Sequence, residues 1–148
     1  NNFAHLTSIK GITFYSLQKG PASIDSNNCH KGINLIDLDS ELEDFADTAA
    51  AIDNMDLIIS VDTSVVHLAG AIGKPVWTLL PFVPDWRWML ERSDTPWYPS
   101  MRLFRQRQLH DWEGVFEQIT ESLTKFRKNN INLKDNKLNT NYTLTRNQ

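Results

Sequence analysis

Hydrophobic positions fall into short apolar runs that alternate with stretches of helical spacing. Gly11 to Leu17 (GITFYSL) is apolar and aromatic and ends at Gln18-Lys19-Gly20-Pro21, the pattern of a strand followed by a turn. Residues 21–32 are polar and turn-rich and read as a loop, and Ile33 to Leu38 (INLIDL) reads as a second strand. Ser40 and Glu43 have capping-box spacing. Behind them Leu42, Phe45, Ala46, Ala49 and Ile52 recur at intervals of three and four, which predicts one buried face on a helix ending near Asn54. Asp44, Asp47 and Asp53 fall elsewhere on that wheel and read as a solvated face that suits a helix N-terminus, not as a metal cluster.

Leu57 to Val61 (LIISV) is apolar on both faces, as a central strand of a parallel sheet would be. Asp62-Thr63-Ser64 then opens a helix over Val65 to Ile72, which Gly73 and Pro75 stop. Pro75 to Leu80 reads as a strand, residues 81–101 as an ordered loop or short helix, and Arg102 to Arg105 as a last strand. Asp111 caps a final helix in which Trp112, Val115, Phe116, Ile119, Leu123 and Phe126 keep helical spacing. The Asn-, Thr- and Lys-rich remainder has no period. Residues 1–127 are therefore read as one folded lobe and residues 128–148 as a disordered polar tail. This succession predicts an α/β fold with a parallel sheet and right-handed crossovers.

Composition narrows the function. At 148 residues one core is expected, and a net charge of −3 argues against the basic face of a nucleic-acid binder. A single cysteine, Cys29, excludes an intramolecular disulfide and fits a reducing compartment. No apolar run reaches the ~18–20 residues of a membrane span, and NNFAHLTSIK lacks the layout of a secretory signal. A first residue Asn1 in place of Met suggests a processed chain or a piece of a longer one.

The informative segment is DLIISVDTSVVHLAGAIGKP. A buried strand delivers Asp62, Thr63 and Ser64 to its carboxyl end, where α/β proteins bind ligands. The first-turn amides of the next helix lack intrahelical partners and favour an anion. Thr63 and Ser64 hydroxyls suit phosphate oxygens, Asp62 suits sugar hydroxyls, and His67 lies one turn in. Each has a plainer reading as well: Asp62 or Thr63 as a simple N-cap, and His67 as a satisfied half-buried side chain. Lys19 could neutralise a phosphate or merely be solvated. Trp86, Arg87 and Trp88 could stack on a sugar or base, or belong to a satellite core or an interface. Cys29, His30, His5 and His110 show no zinc spacing, and dinucleotide and P-loop fingerprints are absent.

VDTSVVHLAGAIGKPVW resembles the donor-site motif of the bacterial ADP-heptose:lipopolysaccharide heptosyltransferases, glycosyltransferase family 9. SLQKG, ELEDFADTAAAIDNMDLIIS and LLPFVPDWRWMLERSDTPWYPSMRLFRQ resemble a branch found at the end of bacterial tetratricopeptide-repeat proteins, and the resemblance runs from about Gly11 to Leu123. It implies a Rossmann-like parallel sheet, the C-terminal, donor-binding half of a GT-B fold. On that resemblance Thr63, Ser64 and Lys19 would hold the donor diphosphate, and Asp62 and His67 the donor sugar. Gln18, Trp86 and Arg87 would approach the nucleoside or sugar. It also implies inverting, metal-independent transfer, with no cofactor beyond the nucleotide-sugar donor, a catalytic base in an N-terminal lobe, an unidentified acceptor and a cytoplasmic site, at most peripheral at the inner membrane. Ser64 departs from the family's glycine and narrows the approach to phosphate.

The first strand of such a lobe, central in the order 3-2-1-4-5-6, would precede this sequence. Its absence would leave the strands at 11–17 and 56–61 unpaired and the chain silent by itself. The alternative expectation is a non-catalytic interaction module derived from such a lobe and attached to helical repeats.

Overall fold

The computed structural model describes residues 6, 9–20 and 35–144, with side chains described as far as residue 131. Among the described residues, five strands and three α-helices follow in the order β1 (Phe14–Ser16), β2 (Leu35–Asp37), α1 (Phe45–Asp53), β3 (Ile58–Val61), α2 (Ser64–Ile72), β4 (Val76–Leu80), β5 (Met101–Arg105) and α3 (Trp112–Leu144). All strand pairs are parallel, giving a Rossmann-like α/β arrangement. The loop expected at 21–32, with Cys29 and His30, lies wholly outside the described residues, as does His5.

The pairing falls into two sheets. β1 pairs with β2, and β3, β4 and β5 form a second sheet in that order. Among the described residues, β1 and β3 each have one unpaired edge. β3 is thus an edge strand rather than the central strand its apolar sequence predicts, and Val61 is exposed on it. The two sheets nevertheless share cores: Phe14 of β1 lies against one buried cluster and Leu17, just beyond it, against the other.

β4 is the fully buried strand, and its alternation builds both clusters. Val76 and Leu80 meet Ile52 of α1 and Val66 and Ala69 of α2. Trp77 and Leu79 meet Val115, Phe116, Ile119 and Leu123 of α3. Each such buried side chain contributes about 1.5–3 kcal/mol relative to exposure.

Two expectations about helices need correction. Ser40 and Glu43 do not form a capping box at the start of α1; residues 39–41 make a separate 3₁₀ turn. The N-cap is Asp44, whose Oδ1 accepts from the amides of Ala46 (2.7 Å) and Asp47 (3.0 Å), while Asp47 Oδ2 accepts from the Glu43 amide (2.9 Å). With the start moved to Phe45, Leu42 is buried from the preceding turn and Phe45 is exposed. At the other end of the chain, α3 continues to Leu144 through the stretch expected to be a disordered tail from residue 128. No Gly or Pro follows Gly114, so no local stop signal interrupts the helix.

Candidate functional site

α2 begins without a side-chain cap. Thr63 has the extended geometry of an N-cap (φ −142°, ψ 171°), yet its side chain makes no capping hydrogen bond. Its Oγ1 lies 3.3 Å from Ser60 Oγ instead. No acidic residue stands in the first turn of α2, whereas α1 carries Asp47 there and is capped by Asp44. Thr63 and Ser64 are both exposed, so the amide-rich, electropositive end of α2 is open to an anion. Thr63 thus holds the N-cap position of the plain reading, but without a side-chain capping bond.

Asp62 is engaged elsewhere. Trp88 Nε1 donates to its Oδ2 at 2.8 Å, and His67 Nε2 lies 3.5 Å from its Oδ1. His67 also stacks on the Trp88 ring, with centroids 5.4 Å apart and planes 22° from parallel. Its Nδ1 lies 3.0 Å from the Tyr98 hydroxyl. Gly70 makes that last contact possible, because a Cβ there would sit 2.6 Å from Tyr98 Cγ. The helix ends at Gly73, in the left-handed conformation at φ 83° that glycine adopts without strain.

The loop that brings Trp88 to Asp62 is tied down at several points. Asp85 caps the 3₁₀ turn Trp86–Trp88 by accepting from the Arg87 amide. Arg105, at the end of β5, donates to the carbonyls of Trp88 and Arg92. Burial lowers the Arg105 pKa, as expected for a cation drawn into the fold to make those bonds. The buried Gln106 side chain accepts from the Phe82 amide at 3.0 Å. Met89, directly after Trp88, is held at φ 56° and ψ −169°, a region nearly restricted to glycine.

Of the residues singled out in the sequence, Asp62 and His67 touch each other, and Thr63 and Ser64 lie between them along the chain. Trp88 does not offer a stacking face to solvent; it is 1% exposed and presents its indole N–H to Asp62. Trp86 is the open ring, at 80% exposure. Arg87 makes a two-point ion pair with Asp85 (2.8 and 3.2 Å), which raises the Arg87 pKa above its ordinary value. Weaker charge interactions also connect Arg87 with Asp62 and Tyr98.

Gln18 and Lys19 stand on the other sheet, beyond β1. Lys19 Nζ donates to the Asp39 carbonyl at 3.3 Å, and the Gln18 amide faces Ser16 Oγ at 3.4 Å. The residues that sequence reasoning missed are Tyr98 and the hydrogen-bonding role of Trp88. Their clue was only a dense aromatic stretch without a period. Among the described residues, no group of three His, Cys, Asp or Glu side chains could hold a metal ion, and no helix is long and apolar enough to cross a membrane.

With this geometry in place, comparison with known proteins bears on one stretch in particular. Residues 39–110, a little under half of the chain, match the model of glycosyltransferase family 9 (heptosyltransferase). This segment is similar to family 9 glycosyltransferases. It contains α1, β3, α2, β4 and β5, with Asp62, His67, Trp88 and Tyr98. The chain is also similar to Protein FlbA of Caulobacter vibrioides, with 30% identity over 123 residues. That match covers 78% of this chain and 20% of that protein, so the chain spans about a fifth of the relative's length. No solved structure is significantly similar.

Proposed function

We propose that this chain is the nucleotide-sugar-binding part of a family 9 type glycosyltransferase, the C-terminal lobe of a two-lobed GT-B enzyme. The uncapped, acid-free and exposed start of α2, inside the segment similar to that family, carries the reading. Amides at Ser64 and beyond, with the Thr63 and Ser64 hydroxyls, receive the donor diphosphate. They stabilise the charge that develops on the nucleotide leaving group. Asp62 repels phosphate but accepts from hydroxyls of the donor sugar. Lys19 and Gln18 reach the donor from the side of β1, and Trp86 with Arg87 supplies a ring face and a fixed charge for the nucleoside or sugar.

The reaction is inverting transfer of a hexose or heptose to an acceptor yet to be identified, without a metal, and its base comes from the other lobe. Among the described residues β1 and β3 each keep an unpaired edge, which supports a further part of the reading. This chain completes its sheet, and gains its base, only alongside additional chain, and is silent by itself. Its place is the cytoplasm, at most the periphery of the inner membrane.

Calorimetry against ADP-, UDP- and GDP-sugars tests the reading. One of the three is expected to bind, and the same protein with Ser64→Asp is not. Failure of all three to bind to a protein holding both lobes would overturn the proposal.

A second reading has its own observation. Val83 and Leu90 are each 73% exposed, in the same loop between β4 and β5 as the exposed Trp86 and Trp97. A non-catalytic module attached to helical repeats would use that apolar surface for a protein partner. A partner that docks there, together with no sugar-nucleotide binding, would favour it.

A further inference from the structure

We infer that Tyr98 and His67 are positioning residues that act on the ligand through Asp62: facing the acceptor-only carboxylate, His67 carries its proton on Nε2, Tyr98 donates to Nδ1 and so holds the imidazole, and His67 with Trp88 keeps the Asp62 carboxylate in one orientation. The consequence for ligand binding rests on the donor-binding reading above; the proton placement does not.

The argument is one of donors and acceptors. An ionised carboxylate only accepts, so His67 Nε2, 3.5 Å from Asp62 Oδ1, meets it favourably only when it carries a proton. A neutral imidazole carries one N–H, so Nδ1 is left as the acceptor. The Tyr98 hydroxyl lies 3.0 Å from Nδ1 and supplies the donor. Asp62 Oδ2 accepts from the Trp88 indole, which can only donate. Each group in the row Trp88–Asp62–His67–Tyr98 is thus matched by its neighbour.

The row is built, not incidental. Trp88 is buried, stacks on the imidazole, and has its carbonyl held by Arg105. Tyr98 meets the imidazole edge-on at 5.8 Å and rests on Gly70, one turn along α2. Both imidazole nitrogens face protein groups, Nδ1 at 3.0 Å from the Tyr98 hydroxyl and Nε2 at 3.5 Å from Asp62 Oδ1. Asp62 uses two of the roughly four lone-pair sites of a carboxylate, so two remain for hydroxyl groups. The fixed carboxylate, not the imidazole, is then the group that a sugar meets.

The test begins without any ligand. Long-range proton–nitrogen NMR spectra of the histidine-labelled protein above the titration of imidazole are expected to show His67 protonated on Nε2 and bare on Nδ1. The resonance is assigned by its loss in His67→Gln. A wild-type signal from the Nδ1–H form, or from a mixture, overturns the inference before any variant is made. Tyr98→Phe keeps the ring against Gly70 and removes the donor to Nδ1, so the Nδ1 nitrogen resonance is expected to shift as that hydrogen bond is lost; an unchanged spectrum overturns the inference.

The ligand arm compares ADP-glucose, UDP-glucose and GDP-mannose with ADP, UDP and GDP. Tyr98→Phe is expected to weaken the sugar nucleotide that binds by about tenfold, and its parent diphosphate by less than about twofold. Equal losses on both overturn the action through Asp62. The expected NMR result with no binding of any nucleotide refutes donor binding and leaves the proton placement standing.

Discussion

Asp62 and Trp88, 26 residues apart in sequence, are joined by a 2.8 Å hydrogen bond from the indole to the carboxylate. Asp62 directly follows β3 and Trp88 sits in the loop after β4, so the bond fastens that loop to the start of α2. Replacing Trp88 by Phe keeps a ring in the core and removes only the N–H. Hydrogen bonds to charged groups contribute about 1.5–3 kcal/mol. Sugar-nucleotide affinity is expected to fall by about 10- to 100-fold in calorimetry, with near-native circular dichroism. Unchanged affinity would place Asp62 outside the ligand site.

The contrast between the two helix starts gives a second prediction. Asp44 caps α1, while α2 has neither a side-chain cap nor an acidic first turn. Ser64→Asp puts a carboxylate where the diphosphate is proposed to sit. It is expected to stabilise the fold by about 0.3–1 kcal/mol through the helix dipole and to abolish nucleotide binding. Denaturant unfolding and calorimetry on the same sample check both signs. Gain of stability with binding intact would separate the helix end from the ligand.

Thr78 lies at the centre of β4, fully buried, and its hydroxyl has no hydrogen-bond partner among the described residues. Thr78→Val exchanges that hydroxyl for a methyl group of similar size. An unsatisfied buried polar group costs about 1–3 kcal/mol, so the variant is expected to melt a few degrees higher. A lower Tm would mean that the hydroxyl has a partner, such as a buried water.

Asp85 gives a prediction about pH. Its side-chain hydrogen bond to Arg87, seconded by the Arg87 amide, holds its carboxyl below the ordinary value of 3.8. The folded state therefore binds that proton less readily than the unfolded state. The stabilising contribution is complete above the ordinary value and is lost as pH falls through the lower, folded-state midpoint. Carboxyl NMR titration is expected to show Asp85 below 3.8, rising toward it in Arg87→Ala. A midpoint unmoved by that substitution would show that Arg87 is not the cause.

The amino-acid sequence by itself determined the elements whose signals are local. Gly73 and Pro75 stop α2 where the pattern says, and Asp111 Oδ1 accepts from the Gly114 amide at the start of α3. The apolar run from Pro75 to Leu80 becomes β4, Val76–Leu80. Where two local signals competed, the reading slipped: Asp44 rather than Ser40 caps α1. At the C-terminal end, polar composition did not stop α3, because no Gly or Pro breaks its backbone ladder.

The tertiary structure alone decided which strands pair and what surrounds Asp62. Periodicity states that a face is buried but not which distant segment covers it. The split between β1–β2 and β3–β4–β5 is therefore invisible in any one strand. Tyr98 stands 31 residues from His67, at the end of an aperiodic loop whose path is set by Arg105 and Gln106. A hydrogen bond formed across such a loop depends on where the chain returns in space, and no local spacing of residue types encodes that.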